Sequence, residues 1–209
     1  MPPEALLDEL PLVAILRGVA PDRVLEIGQI LHDAGIRAIE VPLNSPEPFD
    51  SVARLAAYFG DACICGAGTV LARGDVDRVF AAGGTMIVSP NTDPTVIGRT
   101  LERKMIAMPG FATASEAFAA IAAGASRLKL FPANTYGPGH LKALRSVLPG
   151  TARIFAVGGI GADQVAQWLQ AGAAGFGFGS ELFRPEYTTH EISERARKLV
   201  EAVRRAAPK

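Results

Sequence analysis

The chain has 209 residues, 21 Lys+Arg against 21 Asp+Glu, and 49% hydrophobic side chains. That length suits one domain over residues 1–209, able to bury about 70% of the surface of its unfolded chain without disulfide or metal staples. Balanced charge without like-charge tracts speaks against a nucleic-acid or anionic-membrane surface, and no apolar run reaches the ~18 residues of a membrane span. The start Met1-Pro2-Pro3-Glu4 lacks the basic-then-apolar pattern of a signal peptide, so a cytoplasmic location is expected.

In chain order, Glu4–Leu10 predicts a short leading helix. Eight short apolar runs follow: Leu12–Arg17, Ala38–Leu43, Cys63–Thr69, Met86–Pro90, Met105–Pro109, Arg127–Pro132, Arg153–Gly159 and Ala174–Ser180. Near-continuous apolar runs of this length are what parallel strands buried on both faces require. Helical spacing marks the segments between them. Asp22–Ala34 carries Val24, Ile27, Ile30 and Leu31 and ends at Gly35, Thr113–Ala123 stops at Gly124, and Ala162–Gln170 runs to Ala171-Gly172. Ala-Gly pairs recur before strands at Ala34-Gly35, Ala82-Gly83, Ala123-Gly124 and Ala171-Gly172, the trace a repeated βα unit leaves. The first strand ends Arg17-Gly18-Val19 and lacks the glycine series of a dinucleotide fold. The expected architecture is α/β: a compact (β/α)8 TIM barrel whose floor the leading helix closes.

Cys63 and Cys65 share one face of the third strand and have no further Cys or nearby His to complete a zinc set. They read as small buried hydrophobes. The three histidines His32, His140 and His190 are far apart in sequence, and none pairs with another at ligand spacing. No metal site is expected from these residues.

A barrel of this class places its site at the C-terminal strand ends. Those ends carry Arg17, Glu40, Asn44, Thr69, Ser89, Asn91, Lys129, Asn134, Gly158-Gly159 and Gly179-Ser180. Of five lysines, only Lys129 lies within a strand, between Leu128 and Leu130. Removing an ammonium from water is costly, lowers its pKa and frees an amine that can attack a carbonyl. Glu40 has Ile39 and Val41 on the opposite face, so it points inward if they pack on helices, where it can move protons for that amine. A buried Lys–Glu ion pair without chemistry is the alternative for both. Arg17 can grip a carboxylate bidentately or seal the rim with a salt bridge. Thr69, after Gly66-Ala67-Gly68, offers a hydroxyl beside backbone that a ligand can approach closely. Gly158-Gly159 and Gly179-Ser180 end the last two strands, where barrels often bind phosphate, with Glu181–Arg184 as a candidate short helix beside them. Ordinary tight turns are the alternative.

Taken in order, Ala14-Ile15-Leu16-Arg17-Gly18, Gly66-Ala67-Gly68-Thr69-Val70-Leu71, Leu128-Lys129-Leu130-Phe131-Pro132 and Val157-Gly158-Gly159 resemble the 2-keto-3-deoxy-6-phosphogluconate/6-phosphogalactonate aldolase family. The resemblance covers Leu10 to Arg184. It implies Lys129 as a Schiff-base lysine, Glu40 as general acid/base, and Arg17 and Thr69 near the keto-acid end, with the Pro90 turn lining the pocket. Gly158, Gly159, Gly179 and Ser180 match its phosphate-binding turns. It further implies a homotrimer without cofactor, whose partners are a phosphorylated keto-deoxy sugar acid and pyruvate. Glu40-Val41-Pro42-Leu43-Asn44-Ser45-Pro46 and Ala156-Val157-Gly158-Gly159 look like the phosphogalactonate branch. The gluconate branch typically has an arginine after the strand-two glutamate and a threonine in place of Val157. A valine cannot hydrogen-bond a C4 hydroxyl, so the difference bears on epimer preference. Cleavage of the gluconate epimer, a sugar-phosphate isomerase using Glu40 as base, and a non-catalytic sugar-phosphate sensor are the competing expectations.

Overall fold

A computed structural model describes residues 3–206. All eight apolar runs form strands: β1 (Leu12–Ile15), β2 (Ala38–Pro42), β3 (Ile64–Gly68), β4 (Met86–Val88), β5 (Ile106–Met108), β7 (Arg127–Leu130), β8 (Arg153–Val157) and β9 (Gly175–Phe178). A further segment, β6 (Gly110–Phe111), lies just beyond the fifth run. Pro109 separates β5 from β6, because proline has no N–H to donate to a ladder. Its carbonyl still accepts from the Lys129 N–H at 2.8 Å. β5 pairs with β4 and β6 pairs with β7, so one stretch of chain joins the two ends of the order β5-β4-β3-β2-β1-β9-β8-β7-β6. All pairings are parallel, and the sheet closes as a barrel.

Alternation along each strand divides the apolar residues between two cores. Val13, Ile15, Ala38, Ile64, Met86, Val88, Ile106, Met108, Phe155 and Val157 fill the barrel. Leu12, Ile39, Val41, Cys63, Cys65, Leu128 and Leu130 pack outward in the layer shared with the helices. Both cysteines are buried thiols. Glycines at Gly175 and Gly177 make room inside for Phe155 and Val157, which a Cβ at those positions would strike.

The leading helix α1 (Pro3–Glu9) covers the barrel floor, and its Leu7 joins the interior cluster. Arg127 turns toward this helix and pairs with Glu4 at 3.1 Å and Asp8 at 3.3 Å, while Arg153 holds Asp8 at 2.8 Å. The outer helices α2 (Val24–Asp33), α3 (Pro48–Phe59), α4 (Arg73–Ala81), α5 (Pro94–Glu102), α6 (Ala114–Ala122), α7 (Ala133–Arg145), α8 (Val165–Gln170) and α9 (Thr189–Ala206) alternate with the strands. Thr113 and Glu116 form a capping box that starts α6. The Ala-Gly signal is a helix stop: Gly35 has φ +102°, and the Ile36 N–H bonds the Leu31 carbonyl at 3.0 Å. The segment Ala162–Gln170 begins as a 3-10 turn (Ala162–Gln164) and only then becomes α8. Glu181–Arg184 is not a helix. The N–H groups of Leu182 and Phe183 both bond the Gly179 carbonyl in one tight turn, and Pro185 stops continuation.

Candidate active site

Along β7 the interior-facing positions are Arg127 and Lys129, with Phe131 next on the same side, whereas Leu128 and Leu130 are fully buried against the helices. Lys129 is 5% exposed, and its Nζ lies 4.9 Å from the centre of the Phe131 ring. Glu40 is 1% exposed; Ile39 and Val41 on either side pack outward, so the carboxyl faces the barrel interior. Its Oε2 is buried without a hydrogen-bond partner. Among the described residues neither Lys129 nor Glu40 enters a salt bridge within 4.0 Å, so the two are not a closed ion pair.

Burial dominates the titration of both groups. It pushes the Glu40 carboxyl up to about 7, against the opposing pull of the Lys129 and Arg17 charges. It lowers the Lys129 ammonium; Glu40 works against that shift and Arg17 adds to it. A carboxyl poised near neutrality can both take and give a proton, and a depressed ammonium supplies free amine.

Gly68, on the neighbouring β3, makes this placement possible. A Cβ there would collide with the Glu40 carboxyl. The glycines of Gly66-Ala67-Gly68 were expected to admit a ligand. The structure instead fills the space at Gly68 with Glu40 and brings the Met86 backbone against Gly66. Register explains the difference: Glu40 lies opposite Gly66, and its side chain leans along the strand toward Gly68.

At the mouth, Arg17 donates to the Asn44 Oδ1 and, at 3.4 Å, to the Thr69 Oγ1. No carboxylate lies within 4.0 Å of it among the described residues, so the rim salt bridge considered for Arg17 is not formed. Thr69 has φ +56°, a left-handed conformation that strains a β-branched residue by about 1–3 kcal/mol. The Gly18 N–H donates to the buried Ser45 Oγ at 2.9 Å, which ties the loops after β1 and β2 together. Ser89 serves the fold: its hydroxyl donates to the Val70 carbonyl at 2.7 Å. Pro90 is half-buried against Gly110, where a Cβ would meet its carbonyl. Asn91 is exposed, and its carbonyl accepts from the Gly110 N–H.

Across the mouth, Gly158 and Gly159 have φ +104° and +72°, values that no β-branched side chain tolerates easily. The Gly158 carbonyl accepts from the Asn134 N–H at 3.0 Å. Val157, just before them, is buried in the barrel interior. Gly179 and Ser180 line a cavity of about 480 Å3 together with Ile15, Arg17 and Arg184, so the ends of the first and last strands share one space. Arg184 is a cation that sequence reasoning placed only in a candidate helix. Its lining of this cavity follows from the tight turn after β9. Another cavity, of about 530 Å3, lies between Gly161–Asp163 and α9, and neither Lys129 nor Glu40 lines either cavity.

The histidines lie apart with partners of their own. His32 stacks on Phe59, the His140 Nε2 is 2.6 Å from the Ala112 carbonyl, and His190 lies 3.4 Å from Glu194. No group of three or more His, Cys, Asp or Glu among the described residues is arranged to hold a metal ion.

A parallel barrel with polar side chains converging at its strand ends is the scaffold of many lyases, and sequence relationships specify which. The family described as KDPG and KHG aldolase matches residues 4–199, and this chain belongs to it. The 2-dehydro-3-deoxy-6-phosphogalactonate aldolase of Escherichia coli (strain K12) is 44% identical over 95% of this chain and 97% of its own length. A solved structure described as native KDPGal superposes with a TM-score of 0.93 at 44% identity, covering 95% of this chain and 96% of that one. A KDPG aldolase from Legionella pneumophila, described with pyruvate captured at low pH as a covalent carbinolamine intermediate, has a TM-score of 0.82 at 25% identity. It covers all of this chain and 99% of its own.

Proposed function

We propose that this protein is a Schiff-base aldolase that cleaves 2-dehydro-3-deoxy-6-phospho-D-galactonate to pyruvate and D-glyceraldehyde 3-phosphate. The observation that carries the reading is a dry amine, Lys129, sharing the barrel interior with an unpartnered carboxyl, Glu40. The phosphogalactonate aldolase relative and the carbinolamine captured in the Legionella enzyme support the same chemistry.

The neutral Lys129 amine adds to the C2 ketone to give a carbinolamine, and Glu40 supplies the proton with which the hydroxyl leaves as water. The imine is an electron sink. Glu40 then takes the C4 hydroxyl proton, the C3–C4 bond breaks, and its electrons flow into the imine to leave an enamine. Protonation at C3 and hydrolysis release pyruvate and restore the amine. Arg17 and Thr69 hold the keto-acid end, beside the Pro90 turn. Gly158, Gly159, Gly179 and Ser180 receive the phosphate, whose distance from the reacting bond lets it hold C4 near Glu40. Val157 faces C4 without a hydrogen-bonding group. The active assembly in this reading is a cytoplasmic homotrimer.

Pyruvate with borohydride should add a three-carbon fragment to Lys129, and Lys129→Ala should abolish both adduct and turnover. Wild-type cleavage by Lys129→Ala would refute covalent catalysis. An isomerase would interconvert sugar phosphates without an adduct, and a sensor would bind the phosphorylated ligand and release no pyruvate. Cleavage of the gluconate epimer is the second reading of the same site. Comparing kcat/KM for the two epimers decides it, and a strong gluconate preference would overturn the role given to Val157.

A further inference from the structure

Arg17 is an exposed cation at the strand ends, yet both of its side-chain partners, Asn44 Oδ1 and Thr69 Oγ1, are uncharged. Some arginines elsewhere are held by carboxylates, as Arg54 by Asp50, Arg99 and Arg103 by Asp77, and Arg127 by Glu4 and Asp8, and others, such as Arg23, Arg37 and Arg145, by backbone carbonyls; Arg17 is held by two neutral side chains. Asn44 is fixed from both sides. The Leu43 N–H bonds the Gly68 carbonyl at 2.8 Å, and the Ser45 N–H bonds the Pro42 carbonyl at 2.9 Å. The Ser45 hydroxyl also accepts from the Gly18 N–H, so the loop that carries the acceptor is clipped to the loop that carries the guanidinium. Charged groups around this mouth include Glu40 and Lys129 inside the barrel, with Arg184 and Glu186 along the shared cavity.

We infer that Asn44 is a positioning residue that orients the Arg17 guanidinium toward the substrate carboxylate while leaving its positive charge uncompensated. The inference rests on the aldolase reading and assigns Asn44 a part in it. A neutral amide oxygen fixes the direction of a guanidinium through one hydrogen bond. A carboxylate in the same place would fix it as firmly but cancel the charge that an anionic substrate needs.

That contrast supplies the experiment. Initial rates of borohydride trapping are measured against pyruvate concentration, and in parallel against methyl pyruvate, which has no carboxylate. Asn44→Asp keeps the acceptor oxygen, so a purely structural role predicts behaviour like wild type. The positioning role predicts that the half-saturating pyruvate concentration rises about tenfold or more, with the limiting rate retained and methyl pyruvate within about twofold. Asn44→Ala, at an exposed position that does not put folding at risk, should raise it by about three- to tenfold. Asn44→Asp titrating pyruvate like wild type overturns the inference alone. Absence of any adduct on Lys129 in the wild-type protein overturns the aldolase reading, and the inference with it.

Discussion

An unpartnered carboxyl in a closed barrel works against folding, and this gives Glu40 a signature separable from catalysis. Its value of about 7 in the folded protein lies above the ordinary 4.5, so the folded state holds the proton more tightly than the unfolded one. The contribution of Glu40 therefore favours the folded state below pH 4.5, is lost as pH rises from 4.5 to about 7, and changes little beyond. Glu40→Gln, which cannot ionise, should melt with the wild type below pH 4.5 and above it at pH 8, while cleavage slows by about 10²-fold or more. Thermal melts across that range check the first part, and equal cleavage rates would exclude Glu40 as the proton carrier. Gly68→Ala should act through the same carboxyl. The new methyl displaces it, so kcat should fall by about tenfold or more with KM for the keto acid little changed. Lys129 and Glu40 were legible in the sequence because a charge inside an apolar strand run is conspicuous. Gly68 was noticed for the wrong occupant, because the register that sets Glu40 beside it is a property of two strands together. Asn44 stood out as a strand-end residue, but its bond to Arg17 joins two loops whose approach no spacing reports.

At the level of elements, short continuous apolar runs marked eight of the nine strands among the described residues, since burial on both faces removes the polar alternation. They missed β6, a two-residue segment past a proline with no apolar run of its own. The floor of the barrel depends on α1, whose Asp8 serves Arg127 and Arg153 at once. Arg127 is nearly buried, so Asp8→Asn leaves its charge with less compensation and should cost about 1–3 kcal/mol. Denaturant midpoints should report that loss, while kcat/KM stays at the wild-type value, because the change lies at the end of the barrel opposite the strand-end residues. A coincident loss of activity would mean that the floor and the site are coupled.

For the whole molecule, closure depends on one stretch of chain serving both ends of the sheet, so among the described residues no edge strand remains to pair with another copy. Phe80, Leu101 and Phe118 are exposed on α4, α5 and α6 and offer apolar surface for self-association. The homotrimer proposed above should sediment at about three times the 21.9 kDa of the chain; a monomer at working concentration would overturn it. The strand that carries the amine also carries, one interior position below, the arginine that grips the leading helix. Durability and reactivity are thus assigned to opposite ends of the same few residues. A substitution around the leading helix can therefore alter how firmly the barrel holds together without touching the residues that face a substrate.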